Sequence, residues 1–539
     1  MLKPVVIGQG ELTIAQVISV ARHGNSVCID DGLLERMAVT KAYIREHWLG
    51  DDGPLIYSLN TGVGAFKDQR VKPEDLTRYQ RNMIVSHATG LGESFKTDVV
   101  RAMLLLRLNA FARDVSGIAP QLALRMTKFL NLGLTPVVPS QGSVGASGDL
   151  APLAHLAGAV CGFEEAKIEW QGKCYSAPDA LTKAGLEIEI PLEAKDASAL
   201  INGSTTSLAL AVLAVADAEN IARHADIGLA LSLEAMRCEK DAFDARLHEA
   251  RPHVGQMTVA QNIRALTRNS QRMTQAARDI VFPGENRPQG SAGTQRVQDP
   301  YSLRCAPQVH GPVRETLTYV RNIVETEINS ATDNPLILQE ESGRRPISGG
   351  HFHGQYIAQA MDFLSIAFAD LASICERRVA RLIDPTMSFG LARNLASGTP
   401  GLNTGYATVQ CSLSALVMEN RTLSMPGSVD SIPGKGNAED HVSNSTWCAR
   451  KASQVIINAQ AVISGEILVA AQGLSSVEAL CEDYPLDKNT ECVVAALRQH
   501  IPARHDGDVW YETDMLTAIE VVKDTVLLAT LDEQQITIL

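Results

Sequence analysis

Apolar residues recur three and four positions apart along much of the chain, the spacing that lines one face of an α-helix. The run "VVRAMLLLRLNAFARD" (99–114) has it. So do residues 204–236, 312–331, 355–384, 405–425 and 443–473, where Ala, Leu, Ile and Ser dominate. These stretches predict long helices. A helix of about 30 residues is about 45 Å long, and several of that length with small side chains predict a tightly packed bundle. The N-terminus reads differently: "PVVIG" predicts a short strand and "ELTIAQVISVARHG" a helix stopped by Gly24. Glycine and proline gather in 53–64, 133–148, 283–300, 343–354 and 396–405. The pattern predicts rigid helices carrying irregular, glycine-rich loops, and such loops are where function concentrates.

The expected fold class is therefore mainly α. A long-helix bundle core joins a smaller, loop-rich N-terminal region decorated with α and β elements. Three regions are expected: 1–200, a central long-helix bundle over 201–475, and a C-terminal helical region over 476–539. No internal repeat or low-complexity linker is evident. Aromatic residues are only 5% of the 539, so packing must rely on aliphatic and small side chains.

Charge and cysteine usage narrow the partners. A net charge of -13 argues against nucleic acid, and "ERRVAR" (376–381) reads as a solvated or salt-bridged helix face. "MLKPVVIGQGEL" lacks the apolar segment and cleavage site of a signal peptide. The ten cysteines show no CxxC or zinc-type spacing, which suits a reducing cytosol. No uncharged run reaches membrane-spanning length; residues 207–236 are interrupted by Asp217, Glu219, Arg223 and Asp226. The expectation is a cytoplasmic protein with neither membrane nor nucleic-acid partner.

The stretch "GSVGASGDLAPLAHLAG" (142–158) carries the candidate chemistry. Asp149 can cap a helix that Pro152 fits in its first turn, but capping does not need three glycines before it. A dinucleotide loop wants glycines at i, i+2 and i+5, whereas these fall at i, i+3 and i+6, and no P-loop lysine follows. A GxSxG nucleophile elbow fails because Asp149 stands where its last glycine belongs. A third chemistry fits. In Ala146-Ser147-Gly148 the Gly148 nitrogen can attack the Ala146 carbonyl carbon, given a tight bend and small neighbours. Loss of water closes a five-membered ring, and loss of the Ser147 hydroxyl as a second water leaves an exocyclic methylene. The product is a strong electrophile that no standard side chain supplies, and the positive end of the following helix would polarise it.

The 17-residue stretch resembles the signature of the aromatic amino acid ammonia-lyase family, which builds a methylidene-imidazolone (MIO) group from Ala-Ser-Gly. Further blocks follow in the family's order. "IYSLNTGVGAF" (56–66) resembles "YGVNTGFG", the lid loop, and matches Tyr57 to the family's catalytic base; it departs at Ser58, Leu59 and Val63. "SHATGLGE" (86–93) resembles "SHAAGVGE", which implies that His87 lines the side-chain pocket. "LINGSTTS" (200–207) is similar to "LLNGTQ", so Asn202 would bond the MIO carbonyl or the amine region, or cap the long helix after it. In "VQDPYSLRCAPQ" (297–308) the resemblance implies that Arg304 grips the substrate carboxylate and that Gln298 and Tyr301 contact the MIO and the amine. "ISGGHFHG" (347–354) resembles "ISGGNFHG", with Phe352 walling the pocket. "SVDSIPGKGNAEDHVS" (428–443) resembles "SVDSLPTSANQEDHVS", with Glu439 as the pocket glutamate of histidine-specific members.

His351 and His353 form HxH, but no HExxH or cysteine set accompanies them, so no metal is expected. The resemblance implies the MIO as the only prosthetic group, no external cofactor, and a homotetramer whose sites each draw loops from three subunits. The loop-rich N-terminal region would carry both the MIO and lid loops. His87 with Glu439 favours L-histidine, which would give trans-urocanate. A tyrosine or phenylalanine ammonia-lyase and an aminomutase remain open. Ala407, Ala306, His351 and a longer stretch over 281–296 depart from histidine-specific members. A helical scaffold without chemistry is the alternative of another class; intact Tyr57, Ala146, Ser147, Gly148 and Arg304 argue against it.

Overall fold

The computed structural model describes residues 3–282, 297–434 and 438–539. The stretch 281–296 expected as an insertion thus lies largely outside the described residues. Twenty α-helices occur among those described, and the strands form only small two- and three-stranded sheets. The fold is mainly α, as the periodicity implies. The predicted helices appear as Thr97–Phe111, Thr205–Ala235, Gln355–Leu382, Ala407–Leu423 and Ser445–Ser476. The helix expected from residue 312 starts earlier, at Ala306, and runs to Ile328 with Pro312 inside it. Proline lacks the N–H and crowds the carbonyl four residues before it, which is why Pro312 reads from sequence as a helix start.

The chain divides into two compact units. The first comprises Met1–Ala216, Val320–Asp362 and Pro426–Ser453. Its N-terminus is the expected strand, Val5–Ile7, paired in parallel with Val27–Ile29. The helix Ile14–Ala21 between them begins in a capping box made by Thr13 and Gln16. In the helix Thr97–Phe111 every residue from 99 to 111 is buried, polar ones included. Two of these find carbonyls: Arg101 bonds Val20 O and Leu130 O, and Asn109 bonds Ile328 O, while Arg107 donates from one nitrogen to the Thr205 and Thr332 hydroxyls. A buried polar group is tolerated when so satisfied. Lys41 is likewise buried, donating to Asp196 Oδ1 at 2.7 Å and to two carbonyls. That pair anchors the short helix Asp196–Ile201, whose C-cap is Asn202.

The second unit comprises Asp217–Tyr319, Phe363–Met425 and Gln454–Leu539. Its apolar helices enclose an ion network. Arg378, fully buried, makes a two-pronged bond to Glu466 at 2.5 and 2.9 Å, and His310 Nδ1 lies 2.8 Å from Asp226. The C-terminal stretch carries the helices Lys488–Arg498, Tyr511–Lys523 and Val526–Glu533.

Three helices are long and apolar enough to cross a membrane once one or two charges are allowed: Thr205–Ala235, Gln355–Leu382 and Ser445–Ser476. Their apolar windows are 78%, 56% and 78% buried inside the protein, so protein side chains already cover most of the surface that lipid would. All ten cysteines are free thiols.

Candidate active site

The Ala146-Ser147-Gly148 bend lies in the first unit, between the strand Pro139–Gln141 and the helix Leu150–Val160. Gly142, Gly145 and Gly148 have φ of 122°, 71° and 72°, the region glycine enters at little cost. At two of them there is also no room for a side chain. A Cβ on Gly148 would sit 2.3 Å from the Gly203 backbone, and one on Gly145 would sit 2.2 Å from the Ser443 hydroxyl. Gly148 and Gly203 pair as an isolated parallel bridge, and Asp149 N–H donates to Gly203 O at 2.7 Å.

Two side chains hold Ser147. Asn202 Nδ2 donates to its carbonyl oxygen at 2.7 Å, and its hydroxyl donates to Glu439 Oε1 at 2.7 Å. Asn202 Oδ1 is buried without a partner, an unused acceptor beside the bend. The sequence thus marked Ala146, Ser147, Gly148, Asn202 and Glu439 separately, and the structure brings them together.

Asp149 corrects one expectation. Its side chain makes no capping bond to the helix Leu150–Val160 that it precedes. Fully buried, it accepts from Ser143 Oγ at 3.0 Å, Thr446 Oγ1 at 2.5 Å, Ser207 N at 2.8 Å and Ser207 Oγ at 3.0 Å. It caps a different helix, Thr205–Ala235, from a distance. That is the role offered above to Asn202, whose amide is instead spent on Ser147. Burial pushes the Asp149 carboxyl above the ordinary carboxylate range, and the four donors pull it back. Four donors aimed at two oxygens are the set an ionised carboxylate takes.

Two further segments brace the bend. Ser443 Oγ donates to Gly145 O at 2.9 Å, Gly354 N to the same oxygen at 3.1 Å, and Asn444 N to Val144 O at 2.8 Å. Phe352, half-buried, lies two residues before Gly354. His353 stacks on His441 at 5.6 Å, and its Nε2 lies 3.1 Å from His441 O. His351 is exposed. No group of three potential metal ligands forms among the described residues.

In the lid block, two of the three departures from the family pattern, Ser58 and Leu59, are buried packing positions. Leu59 is fully buried beside Ile44, Trp48 and Ile56, and Ser58 Oγ donates to Ser198 Oγ at 3.2 Å. Asn60 stitches the loop, accepting from Ile56 N and donating to Trp48 O and Pro54 O. The Tyr57 hydroxyl accepts from Gly64 N at 3.3 Å. Tyr79, which the sequence reading passed over, lies near Tyr57. Burial pushes its phenol up, Tyr57 adds to the shift, and its hydroxyl is buried without a partner. His87 ends the helix Leu76–His87, with Nδ1 2.7 Å from Met83 O. A carbonyl only accepts, so Nδ1 carries the proton and Nε2 is the acceptor of the neutral ring.

Gln298, Tyr301 and Arg304 belong to the second unit. Gln298 and Tyr301 are exposed. Arg304 ends the four-residue helix Tyr301–Arg304; its guanidinium lies 4.7 Å from the Tyr301 ring centre, and its Nε donates to Asp299 O at 2.8 Å. Both Nη groups of the fork complete a face suited to a carboxylate.

Comparison with known proteins shows the family. Residues 12–499 match the family described as aromatic amino acid lyase. Histidine ammonia-lyase 2 of Fusobacterium nucleatum subsp. nucleatum is 42% identical over 533 residues, covering 99% of either chain. The crystal structure of histidine ammonia-lyase from Trypanosoma cruzi superposes with a TM-score of 0.86 at 33% identity, over 98% of this chain and 95% of that one. Tyrosine aminomutase from Streptomyces globisporus gives 0.89 at 32%, over 98% and 99%.

Proposed function

Because the chain belongs to the aromatic amino acid lyase family, we propose that it removes ammonia from L-histidine to give trans-urocanate, through an MIO ring formed by its own Ala146, Ser147 and Gly148. One observation carries this: the tight bend pressed on Gly203, with Asn202 on the Ser147 carbonyl and Glu439 on the Ser147 hydroxyl. The residues fit such a ring. Only glycine fits at 148, and the buried Asn202 Oδ1 leaves an acceptor for an amine. Once formed, the ring supplies an electrophile that makes the substrate nitrogen a better leaving group.

The chain's own groups do the rest. Arg304 holds the carboxylate through two parallel N–H bonds. Tyr57 removes the β-proton. Asn202, Gln298 and Tyr301 surround the amine, and Phe352 walls the pocket. His87 and Glu439 receive the imidazole, Glu439 accepting its N–H and His87 lining the pocket beside the ring. We place the enzyme in the cytoplasm, with no external cofactor, metal, nucleic acid or membrane partner. We take it to be a homotetramer, with each site drawing loops from three subunits. The apolar Tyr319, Phe363 and Ile366, each nearly half exposed on the second unit, support an assembly that covers them. Light scattering should give a tetramer, and an active monomer would overturn the assembly.

Competition among L-histidine, L-tyrosine and L-phenylalanine in one reaction tests the substrate. Urocanate should dominate. Glu439→Gln should lower kcat/KM for histidine relative to phenylalanine by about tenfold to about a hundredfold, the worth of a charge-assisted hydrogen bond. Read as a ratio within one preparation, this cancels any change in the amount of active enzyme. His87→Phe should move the ratio the same way, by exchanging a polar wall for an apolar one. The likeness to tyrosine aminomutase supports a second reading, for which coumarate or a β-amino acid would accumulate and urocanate would not.

A further inference from the structure

Arg107, in the helix Thr97–Phe111, is a cation that the reaction above does not use. It is fully buried, and only one of its nitrogens has a hydrogen-bond partner. Nη1 donates to Thr205 Oγ1 at 3.2 Å and to Thr332 Oγ1 at 3.4 Å, while Nε and Nη2 have none. Its guanidinium lies 5.2 Å from the Phe111 ring centre. Burial pulls it down to about 10 and Asp333 counters the shift, so it is charged at neutrality. Asp333 is already bound by Lys195 at 2.5 Å. Burial pulls the Lys195 ammonium down, Asp333 pulls it up, and Arg107 adds to the downward side. Two buried cations thus share one carboxylate, and Arg107 is the surplus charge. A buried charge with unpaired nitrogens costs stability, so packing alone gives no reason for it.

Its position gives one. Gly203, with φ of 141°, is held between two surfaces. On one side its backbone bridges Gly148; on the other a Cβ would collide with Arg107 Nη1 and Thr332 Oγ1. The same turn grips the bend at two peptide units. Asn202 Nδ2 donates to Ser147 O at 2.7 Å, and Gly203 O accepts from Asp149 N at 2.7 Å. We infer that Arg107 is a positioning residue of ring formation, the backstop that keeps the Asn202–Gly203 turn pressed on the bend. This rests on the reading that Ala146, Ser147 and Gly148 cyclise. Closure joins the Gly148 nitrogen to the Ala146 carbonyl carbon. The Ala146 oxygen leaves as water with the N–H hydrogens of Ser147 and Gly148; the Ser147 hydroxyl leaves as a second water with the hydrogen on its Cα. No oxidant or other reactant is needed. The attack requires the nitrogen held against the carbon, and a misplacement of about 1 Å costs about a hundredfold in rate. Only Nη1 of Arg107 meets the turn, so a lysine, with one donor nitrogen, can do the same work.

Arg107→Met keeps an unbranched chain in the core but removes the charge and the donor. Packing and positioning then predict opposite results. Full-length wild type, Arg107→Met and Arg107→Lys would be synthesised in a cell-free system. The folded fraction would be isolated by size exclusion, and the mass of the proteolytic peptide carrying residues 142–158 followed with time. Wild type should lose two waters. Arg107→Met should unfold in urea at or above the wild-type midpoint, since Lys195 and Asp333 remain as a balanced pair. Its folded fraction should nevertheless lose the waters roughly tenfold to a hundredfold more slowly. Arg107→Lys should recover most of the rate. Water loss at the wild-type rate in folded Arg107→Met, whatever its midpoint, would mark a packing residue and overturn the inference; Arg107→Lys as slow as Arg107→Met would overturn it too. If Arg107→Met gives no folded fraction, Thr205→Val carries the test. It keeps the cation, takes the nearer acceptor from Nη1 and should slow water loss in the same sense, whereas the wild-type rate there would count decisively against the backstop. A wild-type chain of unmodified mass would instead overturn the ring itself, a separate outcome.

Discussion

Ser147→Ala leaves a folded chain that has lost its ammonia-lyase turnover to background. The substitution removes one oxygen from a half-buried side chain whose partner, Glu439, can turn to solvent, so the helical fold should survive and circular dichroism should match wild type. What disappears is the hydroxyl whose departure creates the methylene. No other side chain in the site supplies an electrophile: Tyr57, His87, Asn202 and Glu439 are bases, acceptors or amides. Intact-mass measurement provides the second reading. Active wild type should weigh two waters less than its sequence, and Ser147→Ala should not show that deficit. Active wild type at full sequence mass would refute the proposed ring, whatever the variant did.

The helices and the bend were legible in the sequence for different reasons. Periodicity over a long window is a local signal, and Thr205–Ala235 and Ser445–Ser476 fall within a few residues of where it predicts them. The bend was legible because its chemistry needs glycines that no helix entry needs. What the sequence concealed was which groups meet. Asp149 sits one residue before a helix and so reads as its cap, yet its oxygens turn to Ser207 and Thr446, 58 and 297 residues away. Asn202 precedes a long helix and reads as a cap too, but it reaches back to Ser147, 55 residues earlier. Capping residues are recognised by type and position, and the same oxygen or amide serves a distant partner equally well when the fold presents one. Ser58 and Leu59 show the converse: departures from a familiar pattern that resolve into a buried hydroxyl contact and a core side chain.

The buried carboxylate at 149 gives the largest expected effect on the scaffold. Asp149 ties the bend to two helix starts, since Ser207 and Thr446 open Thr205–Ala235 and Ser445–Ser476. Asp149→Asn is not conservative there. Both oxygens now accept. An NH2 group in place of the oxygen facing Ser207 would oppose the Ser207 N–H, so the amide nitrogen must face Ser143 and Thr446, whose hydroxyls turn to accept from it and lose their own acceptor, at a cost of about 1–3 kcal/mol. Asp149→Ala strands the buried Ser207 N–H and Thr446 hydroxyl, while Ser207 Oγ keeps the Ser204 carbonyl, and should cost roughly 2–6 kcal/mol, about 1–3 for each stranded donor. Both variants should lower the urea midpoint of unfolding, alanine more than asparagine. The second effect is on chemistry. With Asp149 gone, nothing of comparable strength holds Ser143 and the Thr205 helix start to the bend, and the close approach of Gly148 to Gly203 relaxes. Ring closure requires the Gly148 nitrogen against the Ala146 carbon, so the two-water mass deficit should be partial or missing in the fraction that does fold. An Asp149→Ala protein with wild-type midpoint and full mass deficit would show that the glycines alone make the bend, and that the carboxylate is an ornament of the fold rather than its clamp.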